Sequence, residues 1–107
     1  MKIMCYYGLD GQPISDEEWT NMRRGGGDWI VGRTIVGWDP DVSVSTVLLG
    51  LDHGFGDGPP LIFETMIFGG EHAGDQWRYG TKEEAERGHL RIVRALFAGI
   101  DPDEEEL

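Results

Sequence analysis

Alternation of apolar and polar positions is clearest over residues 42–51, VSVSTVLLGL. Val42, Val44, Thr46 and Leu48 fall on one face, and Ser43, Ser45, Val47 and Leu49 on the other. That is the period of a β-strand. The later part is apolar on both faces, as in a strand entering the interior of a sheet. Residues 29–38 (WIVGRTIVGW) and 61–68 (LIFETMIF) predict two more strands, and 77–79 (WRY) a short last one. KIMCYY at 2–7 predicts a first strand, and the Asp10-Gly11 turn returns residues 12–14 to it as a small hairpin. Asp39-Pro40-Asp41 is the turn between the two long strands.

Two stretches change to a helical period. Ser15-Asp16-Glu17-Glu18 is a capping box, with Ser15 as N-cap and two further acids at the positive end of the helix dipole. The helix it predicts spans 16–24, with Trp19 as a core anchor, and stops at Gly25-Gly26-Gly27. Thr81-Lys82-Glu83-Glu84 is a second capping box, opening a helix over 82–98. Ala85, His89, Ile92, Val93, Leu96 and Phe97 form its apolar stripe. Gly99 is the expected C-cap, and Pro102 keeps the helix from resuming. The pattern predicts an α+β fold: a small antiparallel sheet of about four to five strands against a long C-terminal and a short N-terminal helix, in two layers. Residues 1–100 form one domain and 101–107 an acidic, flexible tail.

Charge adds a constraint on partners. The 107 residues carry 20 acids and 9 bases, a formal net of −11. Five acids lie in the last seven residues, so residues 1–100 retain 15 acids against 9 bases. Such a balance repels a phosphate backbone, and direct nucleic-acid binding is not expected. The single cysteine, Cys5, excludes an intrachain disulfide and fits a reducing compartment. No run of about 18 apolar residues predicts a membrane span. The N-terminal MKIMCYYGLD is too short in apolar residues for a signal peptide.

Chemically able side chains concentrate between Thr46 and Tyr79. Glu64, inside an apolar strand, is either paired with Arg33, Arg78 or loop N–H groups, or is an acid/base or ligand-contacting group with a raised pKa. Pairing is the expected state. Asp52-His53 sits where a strand meets the Gly- and Pro-rich loop DHGFGDGPP. Asp52-His53 is expected to order that loop by side-chain to backbone hydrogen bonds. Asp52, His53 and Glu64 could instead bind a metal, although the histidines His53, His72 and His89 show no HxH, HxxxH or HExxH spacing. His89, on the helical stripe, reads as a core histidine. HGFGDG lacks both the G-x-G-x-x-G spacing and a Walker lysine, so it is not a phosphate loop. No serine stands in a nucleophile elbow. No catalytic residue, cofactor or metal ligand is assigned.

The string STVLLGLDHGFGDGPPLIFETMIFGG, then WRY, then T-x-E-E-A-x-x-G-H at Thr81 to His89, resembles a family of short proteins from actinobacterial viruses and prophage-bearing actinobacterial genomes. YYGLDGQPIS-x-x-E-W, from Tyr6 to Trp19, is similar to the start of that family. The match covers most of residues 6–90; Leu48 stands where a large aromatic is expected, and GGGDWIVG is variable ground. The resemblance implies a virus-encoded accessory protein acting in the cytoplasm of the infected host. It brings no activity, cofactor or catalytic residue with it.

The leading expectation is therefore a non-enzymatic protein-interaction module that modulates the host, binding a host or phage protein, with a homodimer also open. Its expected surface is the 52–60 loop with its neighbours: Phe55 as apolar anchor, Asp52, His53 and Asp57 as polar rim, beside Glu64, Trp77, Arg78 and Tyr79. Two alternatives stand beside it. One is a small metal- or ligand-binding enzyme using Asp52, His53 and Glu64; the other is an acidic nucleic-acid mimic built on the charge of −11.

Overall fold

In a computed structural model, residues 6–25, 29–38, 41–52 and 58–104 are described, residue 38 by its backbone alone. The order is β1 (Tyr6–Tyr7), β2 (Pro13–Ile14), α1 (Asp16–Arg24), β3 (Ile30–Trp38), β4 (Asp41–Leu48), β5 (Phe63–Phe68), β6 (Gln76–Tyr79), α2 (Lys82–Ala98) and a 3-10 turn (Pro102–Glu104). The fold is α+β. β3 to β6 form a four-stranded antiparallel meander in chain order, while β1 and β2 pair as a separate two-stranded sheet. The predicted hairpin and the four later strands are present. Residues 1–5, including Cys5, lie outside the described part.

Capping chemistry sets the helix ends. The Ser15 side chain accepts from the Glu18 N–H, and Glu18 reaches back to the Ser15 N–H, so both halves of the first capping box form. Thr81 accepts from the Glu84 N–H. α2 ends on Gly99 in the left-handed conformation, φ 72°, which a side chain would resist.

α2 alone spans the sheet, touching β3, β4, β5 and β6. Between them lies the core: Leu48, Ile62, Phe63 and Ala85 at one end, Val44, Ile67 and Ile92 at the other. Two adjacent helix residues set the fit. Gly88 has no side chain where the Tyr79 hydroxyl rests, and His89 fills the space a side chain on Gly32 would need. Burial pushes the Tyr79 phenol up from its ordinary pKa.

The helical stripe needs one correction. Phe97 is 66% exposed, whereas Gly88 and Ala95 are buried. At about 100° per residue, Phe97 stands roughly 120° round the helix from Ala85, beyond the face the sheet covers. The tail needs another. Pro102 is buried, Arg91 donates to its carbonyl, and Asp103 accepts from the Trp77 indole at 2.9 Å. The first turn of the expected flexible tail is thus docked beside β6; residues 105–107 lie outside the described part.

α1 closes the end of the sheet instead of covering its face. Trp19 is half-buried and stacks on Tyr6 with ring centroids 4.5 Å apart. Arg23 lies over both Trp19 and Trp29, at 5.1 and 4.2 Å, and donates to the carbonyls of Leu48 and Leu49. Burial lowers its pKa from the ordinary arginine value. Arg23→Met keeps the stem but removes the charge-assisted bonds. It is expected to lower unfolding free energy by about 1.5 kcal/mol in urea titration; an unchanged midpoint would refute this role.

Candidate functional site

Register assigns every strand residue to a face. On the helix side, Thr34 pairs with Val44, Thr46 with Thr65, and Leu48 with Phe63. Three rows occupy the reverse face: Ile30–Val47–Glu64–Arg78, Arg33–Ser45–Met66–Gln76, and Ile35–Ser43–Phe68. No described element packs across these rows. Ile35 and Phe68 are each 51% exposed there, large apolar side chains that an unpartnered sheet would not gain by presenting.

The relief of this face follows from its side chains. β4 contributes the short Ser43 and Ser45, while β5 beside it contributes Glu64, Met66 and Phe68. The result is a trough along β4 of about 500 Å³, with Arg33 and Trp29 on its other flank. Its charge differs from that of the whole chain. In the three rows the ionised groups are Arg33, Arg78 and Glu64, and Asp41 adds one exposed carboxylate beyond Ser43 at the end of β4. The acids instead collect in the first turns of α1 and α2 and near the C-terminus.

Glu64 is held by Arg78, whose Nε donates to Oε2 at 3.1 Å. This pairing was among those expected from the sequence. The Glu64 side chain is 12% exposed and that of Arg78 38%, so the carboxylate is held in place on β5 by a guanidinium that remains open to solvent. Among the described residues Arg33 has no acidic partner.

The residues expected to form one surface separate into three places. Glu64 and Arg78 share the open face. Trp77 and Tyr79 take the helix side: Trp77 pairs with Thr65 and packs on the Val44, Ile67 and Ile92 cluster, and Tyr79 rests on Gly88. Alternation along a four-residue strand requires this split, so WRY cannot present all three side chains together. Asp52 Oδ1 accepts from the Leu61 N–H at 2.8 Å, closing the base of the loop as expected. His53, Phe55 and Asp57 lie outside the described residues.

Sequence reasoning did not single out Arg33, Ser45, Met66 and Phe68 as a surface. The alternation that sorts residues into two faces was visible, but both faces of β5 are apolar, and nothing in the pattern says which one a helix covers.

A second polar constellation lies inside. His89 is 7% exposed, with Nε2 at 2.9 Å from the Thr34 hydroxyl and Nδ1 at 2.7 Å from that of Thr46, which in turn bonds Thr65. A neutral ring donates at one nitrogen and accepts at the other, and hydroxyls complement both. Burial lowers the His89 pKa from its ordinary value. With both nitrogens engaged, this ring is a structural core histidine.

Among the described residues no group of three or more His, Cys, Asp or Glu side chains could hold a metal ion, and no helix is long and apolar enough to cross a membrane. Compared with known proteins, the chain matches no protein-family model, no curated protein and no solved structure.

Proposed function

We propose that this chain is a non-enzymatic protein-interaction module whose working surface is the open face of the β3–β6 sheet. One observation carries the reading: a sheet layered by a helix on one side presents Ile35, Met66 and Phe68 on the other, beside an arginine with no acidic partner among the described residues. Apolar centre with charged flanks is how protein interfaces are built. The partner it fits is a protein surface that is apolar at its centre and offers a carboxylate to Arg33. The resemblance of residues 6–90 to actinobacteriophage proteins supports a phage-encoded accessory role, with a host or phage protein met in the host cytoplasm.

Tagged full-length protein expressed in an actinobacterial host tests this reading. Arg33→Glu/Phe68→Ser alters the open face, and Leu90→Ser/Phe97→Ser alters the exposed outer face of α2 as a control. Proteins retained by wild type, untagged copies of the chain included, are expected to persist with the control and to be lost from the open-face variant. Retention indifferent to the open-face change, or nothing beyond the tag alone, would overturn the reading.

A further inference from the structure

We infer that the occupant of the open face is a second copy of this chain, seated so that the β5 ridge of each copy fills the β4 trough of the other. The inference rests on the interaction reading above and names its partner. Three features of the face support it.

The first is shape. Short side chains line β4 and long ones the adjacent β5, so ridge and trough lie side by side on one surface. A two-fold axis parallel to the strands, midway between β4 and β5, places each ridge over the other copy's trough. Phe68 then meets Ser43 of the second copy, and Met66 meets its Ser45, twice over by symmetry. Such self-complementarity is what an isologous interface requires. Sheets pack in this way about 10 Å apart, with strands within about 30° of alignment.

The second is charge. The same axis sets Glu64 of one copy above Val47 of the other, one strand and one row from its Arg33. That is within the reach of an extended arginine. Glu64 accepts from Arg78 through Oε2, leaving Oε1 for Arg33 of the second copy. Each Arg33 gains the carboxylate it lacks among the described residues, and the pairing forms twice. The net charge of −11 opposes association from outside the contact, where salt screens it. Within the three rows the one acid, Glu64, is paired with Arg78, and Asp41 lies beyond them at the end of β4.

The third is size. The molecule is 20 Å across its thinnest direction, one helix layer on one sheet layer. Four strands about 4.8 Å apart and about 20 Å long present a face of roughly 400 Å² per copy. That is below the roughly 800 Å² per partner of a standard stable interface, so association in the micromolar range is expected, not a permanent dimer.

Sedimentation velocity of the full chain from about 1 to about 200 µM tests the proposal. The 12.0 kDa monomer is expected to convert to dimer across that range. Arg33→Glu should weaken association about tenfold or more, since it sets like charges against each other. Mixing Arg33→Glu with Glu64→Arg should restore a heterodimer, because both cross-copy pairs regain opposite charges. Glu64→Arg also faces Arg78 within its own copy. Ser45→Lys, which fills the trough floor without touching that pair, is therefore run beside it and should abolish the dimer; circular dichroism checks that each variant is folded. A wild type that stays monomeric at every concentration overturns the second-copy inference. A dimer insensitive to Ser45→Lys but broken by Leu90→Ser/Phe97→Ser does the same. Either result leaves the wider reading to the host co-purification, where a different protein lost with the open-face variant would keep it standing.

Discussion

Replacing His89 with leucine is expected to lower the free energy of unfolding by about 3 kcal/mol, because an apolar side chain of similar size leaves buried hydroxyls without their partner. Thr34 and Thr46 both bond the ring, and Thr46 is fully buried. Adding Thr46→Val and Thr65→Val to that background should recover about half of the loss, since removing both members of a buried polar pair approaches neutrality. The effect also carries a pH signature. Burial depresses the His89 pKa in the folded protein, so below about pH 6.5 the unfolded chain takes up a proton that the folded one refuses. The stabilisation from the neutral ring is complete above that pH and declines as pH falls toward the folded value. In urea titrations the gap between wild type and His89→Leu should narrow over this window. A gap constant from about pH 8 to about pH 5 would contradict the buried neutral ring.

Gly88→Ala is the second large effect expected. Helix propensity alone favours alanine by about 1 kcal/mol. A methyl group here would overlap the Tyr79 hydroxyl oxygen and ring, which lie against the glycine. That overlap is expected to cost about 3 kcal/mol, so the clash wins and the net loss is about 2 kcal/mol. Tyr79→Phe in the alanine background relieves part of the overlap and should return part of the loss. If alanine stabilises the protein in thermal unfolding, α2 does not sit this close to β6.

Much of the fold is written in local chemistry. The alternation in VSVSTVLLGL, the two N-caps and Gly99 each act within a few residues, and each is found where it was expected, while the turn expected at 39–41 falls largely outside the described residues. Asp52 closing its loop and Glu64 pairing with Arg78 were legible for the same reason: a lone carboxylate among apolar residues needs a donor nearby. What was not legible depends on the third dimension. Met66 and Ile67 are equally apolar in the sequence, yet Ile67 lies under α2 and Met66 on the open face. On that side Gly32 and Gly88, lacking side chains, leave room for His89 and Tyr79 and let the helix sit close against the sheet. Trp77 and Arg78 are neighbours in sequence but separated by the sheet itself. Asp103 was read with the acidic tail; its bond to the Trp77 indole spans 26 residues and leaves no local signal.

A concentration series of amide correlation spectra on isotopically labelled protein tests most directly whether the open face is where this molecule is bound. On raising the concentration, the amides of Ser43, Ser45, Val47, Met66 and Phe68 should shift or broaden together, with those on the outer side of α2 unmoved. Shifts confined to the α2 surface around Leu90 and Phe97, or spectra unchanged while sedimentation reports a dimer, would contradict an interface on the sheet.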